Sequence, residues 1–335
     1  MPWIAKLGSD YANAGANGSF SQNQWIGVTV QIRQACDLND TVADNIISRP
    51  DHCSFDAIAA DYLQCGGRFA LQQGYCLNQN QIPTAAQFYK DYVIGTKTVF
   101  RGPELGSEVD LGLSGGYLTG TDPTTFDMEW AKDFLGYPDN YVYSDSMVSD
   151  AETQNPGMAT ADSFNLGDFS QNRGKIIMYQ GLADGIIPAK GTTYFYEQTK
   201  SQTTGNIDSF LRYFQVPGMH HCWLSDTDAD PAGANAFAPW MFGGAGQAGI
   251  VTASEAAQVL GKPEFDALEA LRQWVEAAAT DQNAPGPASI TATTWFTGNQ
   301  TVWRQRPLCP YGQIAALTPG AEPNNKSSWT CQTTS

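Results

Sequence analysis

Gly174-Lys175-Ile176-Ile177-Met178-Tyr179-Gln180-Gly181-Leu182-Ala183-Asp184-Gly185-Ile186-Ile187-Pro188 is the stretch on which the fold turns. Its apolar run, closed by Gly181, reads as a strand buried on both faces of a parallel sheet, because such strands lack the polar alternation of a half-solvated one. Leu211 to Val216, stopped by Pro217-Gly218, reads as a second strand, and Thr193 to Lys200 as a helix between them. Further on, Phe265, Leu268, Leu271 and Val275 recur at helical spacing, so Glu264 to Ala279 reads as an amphipathic helix with these four as its apolar stripe. Strand, helix, strand, helix argues for part of an α/β sheet over residues 166–335. Residues 1–165 have another texture. Short helical stretches, Phe55 to Leu63 and Thr84 to Val93, sit among Gly-rich, Pro-containing and Asp-rich connections, as in a loop-rich accessory domain.

The chain has 335 residues, 42% of them hydrophobic, enough for a sizeable core in one large or two ordinary domains. A formal charge of −16, from 18 basic and 34 acidic residues, excludes the basic patch that nucleic acid requires. No apolar run reaches the roughly 18 to 20 residues that span a bilayer, so no membrane partner is expected. Met1-Pro2-Trp3-Ile4-Ala5-Lys6 lacks the charged head, apolar stretch and cleavage site of a signal peptide. The seven cysteines point the other way: Cys36, Cys53, Cys65 and Cys76 lie in Asn-, Asp- and Gly-rich surroundings typical of disulfide-stapled secreted loops. None has CxxC spacing, so zinc and thioredoxin chemistry have no foothold. Sequons at Asn17, Asn39, Asn299 and Asn325 fit a secreted glycoprotein.

In open α/β sheets, active groups sit in the loops past the carboxyl ends of strands. The first strand exits into Gly181-Leu182-Ala183-Asp184-Gly185, and the second into Pro217-Gly218-Met219-His220-His221-Cys222. With only three histidines in the chain, a general base is His52, His220 or His221. An Asp after one strand and a His after the next is the arrangement that orients an imidazole in a hydrolase triad. Taken singly, Asp184 reads first as a turn cap and the histidines as surface groups, since hydrolase loops are rarer than ordinary turns. A metal site at His220-His221-Cys222 is disfavoured, since adjacent side chains rarely converge on one ion.

Gly174 to Asp184 resembles the G-K-L-I-x-Y-H-G-W-A-D motif of the tannase and feruloyl esterase family, and Pro217 to Cys222 its P-G-M-x-H-C. Trp274-Val275-Glu276 with Ala284-Pro285, and Arg306-Pro307-Leu308-Cys309-Pro310-Tyr311, extend the resemblance, which covers essentially the whole chain. It implies Asp184 and His221 as acid and base of a serine triad on an α/β-hydrolase fold. It also makes 1–165 a lid domain and 166–335 the C-terminal part of the catalytic domain. Cys36 to Ile47 resembles the lid's calcium loop, C-D-x-x-D-G-x-x-D-G-x-I, implying Asp37, Asp40 and Asp44 carboxylates and the Val42 and Ile46 carbonyls around a structural calcium, the oxygen shell a hard cation takes. Thr41 and Asn45 replace two family glycines.

The resemblance further implies disulfides Cys36 with Cys53, Cys65 with Cys76, and Cys309 with Cys331, leaving Cys222 unpaired. In the family that cysteine pairs with one directly before the nucleophile in a C-S-x-G-G elbow, and no Cys-Ser-x-Gly-Gly occurs here. Gly112-Leu113-Ser114-Gly115-Gly116 matches G-x-S-x-G formally, but Tyr117-Leu118-Thr119-Gly120-Thr121-Asp122-Pro123 is a poor helix start for an elbow. Gly102-Pro103-Glu104-Leu105-Gly106-Ser107-Glu108, just upstream, resembles a stretch of the family's lid. The expectation is a chain that begins where the lid begins, with the nucleophile in a missing N-terminal half. Its implied reaction is hydrolysis of small phenolic esters such as ferulate and gallate, attached in nature to plant cell-wall polysaccharide or tannin. Two alternatives stand beside it: a noncatalytic, calcium-stabilised binding module, and one subunit of a cleaved esterase.

Overall fold

The computed structural model describes residues 2–112, 118, 129–221, 224–225, 238–243, 251–296 and 300–333. They form two compact units, neither continuous in sequence. Unit 1 comprises Met1–Cys36, Arg49–Asp162 and Ala183–Gly191, and unit 2 comprises Asp37–Ser48, Ser163–Leu182 and Thr192–Ser335. Two excursions thus group against sequence order. The aspartate loop goes with the C-terminal residues, and the segment bearing Asp184 goes with the N-terminal ones.

Unit 1 is helical and loop-rich. The helix Gln22–Cys36 buries Trp25, Val28 and Ile32, and Trp25 stacks on Phe88 with ring centroids 5.3 Å apart, inside an aromatic cluster completed by Tyr11 and Phe20. Disulfides Cys36–Cys53 and Cys65–Cys76 fasten the loops around this helix, which Gly27 lets approach: a Cβ there would lie 1.9 Å from the Tyr75 carbonyl oxygen. The helix expected over Thr84 to Val93 ends early. It spans Gln81–Phe88, and Tyr92–Ile94 (β1) pairs antiparallel with Lys97–Phe100 (β2) across a turn in which Gly95 has φ +58°. The two-residue hairpin geometry at Gly95-Thr96 overrides the helical periodicity.

In unit 2, Ile176–Gly181 (β3) runs parallel to Leu211–Val216 (β4), with Ile176 opposite Leu211 and Gly181 opposite Val216. The crossover between them is the helix Ala189–Gln202. Leu224–Ser225 (β5) pairs with Ala238–Pro239 (β6), Ile290–Trp295 (β7) with Val302–Leu308 (β8), and Gln313–Leu317 (β9) with Trp329–Thr333 (β10), all antiparallel. Phe214, Val216, Met219, Trp240, Phe242, Ile290, Ala292 and Leu308 form the main core, joined by Ile46 of the aspartate loop. Cys309–Cys331 ties the end of β8 to β10.

β3 is less buried than its apolar run predicts: Ile176, Ile177 and Met178 are half-buried and Tyr179 is 42% exposed. β4 covers one edge, and among the described residues no strand pairs with the other. The last long helix also turns a different face inward. It spans Ala267–Thr280, capped by the Asp266 carboxylate, which accepts from the amides of Leu268 (3.0 Å) and Glu269 (3.3 Å). Ala270, Trp274 and Ala278 are buried, whereas Leu268 and Val275 of the expected stripe are 64% and 47% exposed. Small alanines bring the helix close to its neighbours and leave the volume to Trp274, whose indole N–H donates to the Ala284 carbonyl at 2.8 Å.

Candidate active site

Register places the two chemically loaded loops at adjacent strand ends. The ladder continues one residue beyond β3, where the Leu182 amide donates to the Val216 carbonyl at 2.9 Å, and Asp184 follows two residues later. On the β4 side the chain turns at Pro217-Gly218, with the Met219 amide reaching back to the Val216 carbonyl and the Trp240 indole N–H donating to the Pro217 carbonyl at 3.0 Å. His220 and His221 come next; His220 is fully buried and His221 half-buried. The histidine loop lies directly over the end of β3. A Cβ on Gly181 would stand 2.1 Å from the Met219 carbonyl oxygen and 3.0 Å from that of His220, so only glycine fits. The third histidine, His52, is exposed in unit 1.

Asp184 is 2% exposed, and its Oδ1 accepts from the amides of Ile186 (2.9 Å) and Ile187 (2.7 Å), a carboxylate tied into its own turn. Within unit 1 this turn rests on the segment Gly102–Leu111. The Gly185 amide donates to Asp110 Oδ2 at 3.0 Å, and a Cβ on Gly185 would lie 2.5 Å from the Ser107 carbonyl oxygen. At the far end of the turn, Lys190 Nζ pairs with Glu104 at 3.1 Å and donates to the Pro103 carbonyl. The seat itself is braced by buried Glu108, whose Oε1 accepts from the Tyr89 hydroxyl (2.7 Å) and the Gly106 amide (2.9 Å). Burial first, then the Glu108 charge, hold the Tyr89 hydroxyl well above its ordinary titration range, so it remains a donor.

The aspartate loop organises its own backbone. Asp37 Oδ1 accepts from the Asp44 amide (3.2 Å), Asp40 Oδ1 from the Val42 amide (2.9 Å), and Asp44 Oδ1 from the Ile46 amide (3.1 Å). Thr41 and Asn45, standing where the family pattern has glycine, both take left-handed backbone, φ +72° and +63°. For the β-branched Thr41 this conformation is strained. Desolvation pushes Asp37 up to about 6, with the charges of Asp44 and Asp40 adding to it, and desolvation likewise raises Asp40. Asp40 Oδ2 is buried without a hydrogen-bond partner. Among the described residues no three His, Cys, Asp or Glu side chains are gathered into a complete metal cage. An oxygen-only set of crowded, desolvated carboxylates with an unsatisfied oxygen nonetheless fits a hard cation chemically. Arg306 of β8 answers part of this charge: it forms a buried ion pair with Asp44 and stacks on Trp329, 4.2 Å from the ring centroid.

In the sequence Arg306 belongs only to a tail motif far from the loop, and no local pattern marks Asp110. Val42 and Ile46 are buried, and Ile46 packs beneath the histidine turn: its Cγ2 lies 3.0 Å from where a Cβ on Gly218 (φ +67°) would stand. The structure brings together Cys36 with Cys53, Cys65 with Cys76, and Cys309 with Cys331. Cys222, Ser114 and the sequon Asn299 lie outside the described residues.

The family model "Tannase and feruloyl esterase" matches residues 126–332. The chain is 25% identical to probable feruloyl esterase B-1 of Aspergillus oryzae over 98% of its own length and 56% of the relative's. It is 26% identical to feruloyl esterase B of Aspergillus niger over 93% of its length and 54% of the relative's. It superposes on the crystal structure of feruloyl esterase B from Aspergillus oryzae with a TM-score of 0.78 at 22% identity, covering 99% of this chain and 60% of that one. The chain thus spans little more than half the length of these proteins. The structural likeness gives the fold, an α/β-hydrolase core with a lid domain. Motif, fold and family model agree, and the chain belongs to the tannase and feruloyl esterase family.

Proposed function

We propose that this chain supplies the acid and base of a carboxylic ester hydrolase acting on phenolic esters of the ferulate or gallate type. The observation that carries the reading is the pair of adjacent parallel strands whose exits lead to Asp184 and His221. His221 takes the proton of the nucleophilic serine and gives it to the departing alcohol as the acyl-serine forms. The neutral imidazole then takes a proton from the water that releases the phenolic acid, while Asp184 holds the imidazole tautomer. The nucleophile comes from sequence other than this one, since no Cys-Ser-x-Gly-Gly occurs here. A feruloyl ester substrate accords with the names of the relatives, and export from the cell with the three disulfides among the described residues; attachment of the ester to plant cell-wall polysaccharide or tannin belongs to the same proposal. Sequons at Asn17, Asn39, Asn299 and Asn325 are the candidate glycan sites.

Assayed alone with methyl ferulate and methyl gallate, the chain is expected to show no turnover. Turnover is expected once a segment carrying Cys-Ser-x-Gly-Gly is supplied, and His221→Ala then lowers kcat on the order of 10⁴-fold. Turnover by the chain alone that Ser114→Ala abolishes would move the nucleophile to Ser114.

A structural calcium in the aspartate loop completes the reading, with Asp37, Asp40, Asp44 and the Val42 and Ile46 carbonyls as the residues that would hold it. Bound there, it would neutralise the crowded carboxylates and stiffen the loop. In the metal-free chain Asp37 is raised from 3.8 to about 6, so the folded state holds a proton that the unfolded one has lost, and stability falls as pH rises through that window. Millimolar calcium is therefore expected to raise the Tm at pH about 7.5 and to raise it less at pH about 5.5, where the cation must displace that proton. A calcium shift equal at both pH values, or none at all, would remove calcium from the loop.

A further inference from the structure

We propose that Asp110 is a positioning residue for the acid of this site, a proposal that rests on the reading of Asp184 as that acid. The peptide Asp110 holds is the one directly after Asp184: the Gly185 amide donates to its Oδ2 at 3.0 Å, a charge-assisted bond. The amides of Ile186 and Ile187 both go to Asp184 Oδ1. The turn that Asp110 anchors is therefore the same turn that orients the Asp184 carboxylate.

Three further features make the anchor firm. Gly185 sits where a Cβ would lie 2.5 Å from the Ser107 carbonyl oxygen, 3.0 Å from Asp110 Cβ and 3.2 Å from Leu111 Cγ, so the turn is seated directly on the Asp110 helix, Glu108–Gly112. The seat is rigid: Ser107, Glu108 and Leu111 are fully buried, and Glu108 is held by Tyr89 and the Gly106 amide. The other end of the turn is pinned by Lys190 to Glu104 and to the Pro103 carbonyl. These contacts are why Ala183–Gly191 groups with unit 1 although β3, which leads into it, belongs to unit 2. The acid is held by the Gly102–Leu111 segment and only delivered by its strand.

The test reads the tautomer of His221, which a merely structural role of Asp110 would not move. ¹⁵N spectra of the histidine-labelled full chain are recorded near pH 9, where imidazoles are neutral, with His221→Gln assigning the signals. The parent is expected to hold the Nδ1–H form. Asp184→Asn and Asp110→Ala should each shift at least about half of it to the Nε2–H form that unconstrained histidine favours, with the fold intact by circular dichroism. Asp110→Asn removes the charge but keeps an acceptor for the Gly185 amide, and should restore the parent spectrum. If Asp110→Ala does not fold, Asp110→Ser, too short to reach the amide, replaces it. A parent-like spectrum in Asp110→Ala while Asp184→Asn shifts, or equal shifts in Asp110→Ala and Asp110→Asn, overturns the positioning role. No Nδ1–H preference in the parent, or no shift in Asp184→Asn, overturns the reading of Asp184 itself.

Discussion

Gly181→Ala is expected to destabilise the chain by about 2–3 kcal/mol, the upper range for forcing one methyl group into a packed site. The added Cβ would stand 2.1 Å from the Met219 carbonyl oxygen, and that atom is backbone, which cannot swing aside as a side chain can. Met219 is itself 1% exposed and packed in the core with Val216, Trp240 and Ile46, so the histidine turn has nowhere to retreat. Either β3 shifts against β4 or Met219 and His220 lift. Urea unfolding measures the loss, and amide exchange at Met219, His220 and His221 locates it. A Tm unchanged by the substitution, with unaltered exchange in that turn, would falsify the close approach.

Arg306→Met is expected to cost about 3–5 kcal/mol, the range for stripping one partner from a buried ion pair. Asp44 and Arg306 both have side chains only 7% exposed, and the Arg306 charge also favours the ionised form of Asp40. Without it, Asp44 loses this buried partner and Asp40 loses a charge that favours its ionised form. Asp44→Leu combined with Arg306→Met should recover much of the loss, because a buried ion pair gains little over an apolar pair of similar size. A double-mutant cycle by urea unfolding separates the pair energy from the lost stacking of Arg306 on Trp329. Millimolar calcium is expected to rescue Arg306→Met in part. Additive losses in the cycle would show that the pair carries no coupling.

Local pattern alone carried much of this fold. The apolar runs at Ile176–Gly181 and Leu211–Val216, each broken by glycine or Pro-Gly, mark two strands, and the residues just past them bear the Asp and the His. The disulfide pairing implied by the family resemblance is the one the structure forms, whereas the Asp spacing taken alone reads as an ordinary solvated turn and its calcium remains a proposal. Periodicity failed where neighbours decide. Leu268 and Val275 share a helical stripe, yet the buried face belongs to Ala270, Trp274 and Ala278, because close approach favours small side chains over large apolar ones.

Only the tertiary structure determined that Asp44 meets an arginine 262 residues away, that Ile46 supports the turn before His221, and that the Asp184 turn is seated on Ser107–Leu111. The motifs pointed to the family, the apolar runs to two parallel strands, and the residues just past them to the proposed acid and base. What holds that acid, what balances the aspartate loop and why Gly181 admits no side chain depend on contacts between distant segments. Those contacts are set by shape and burial, which leave no periodic trace along the chain.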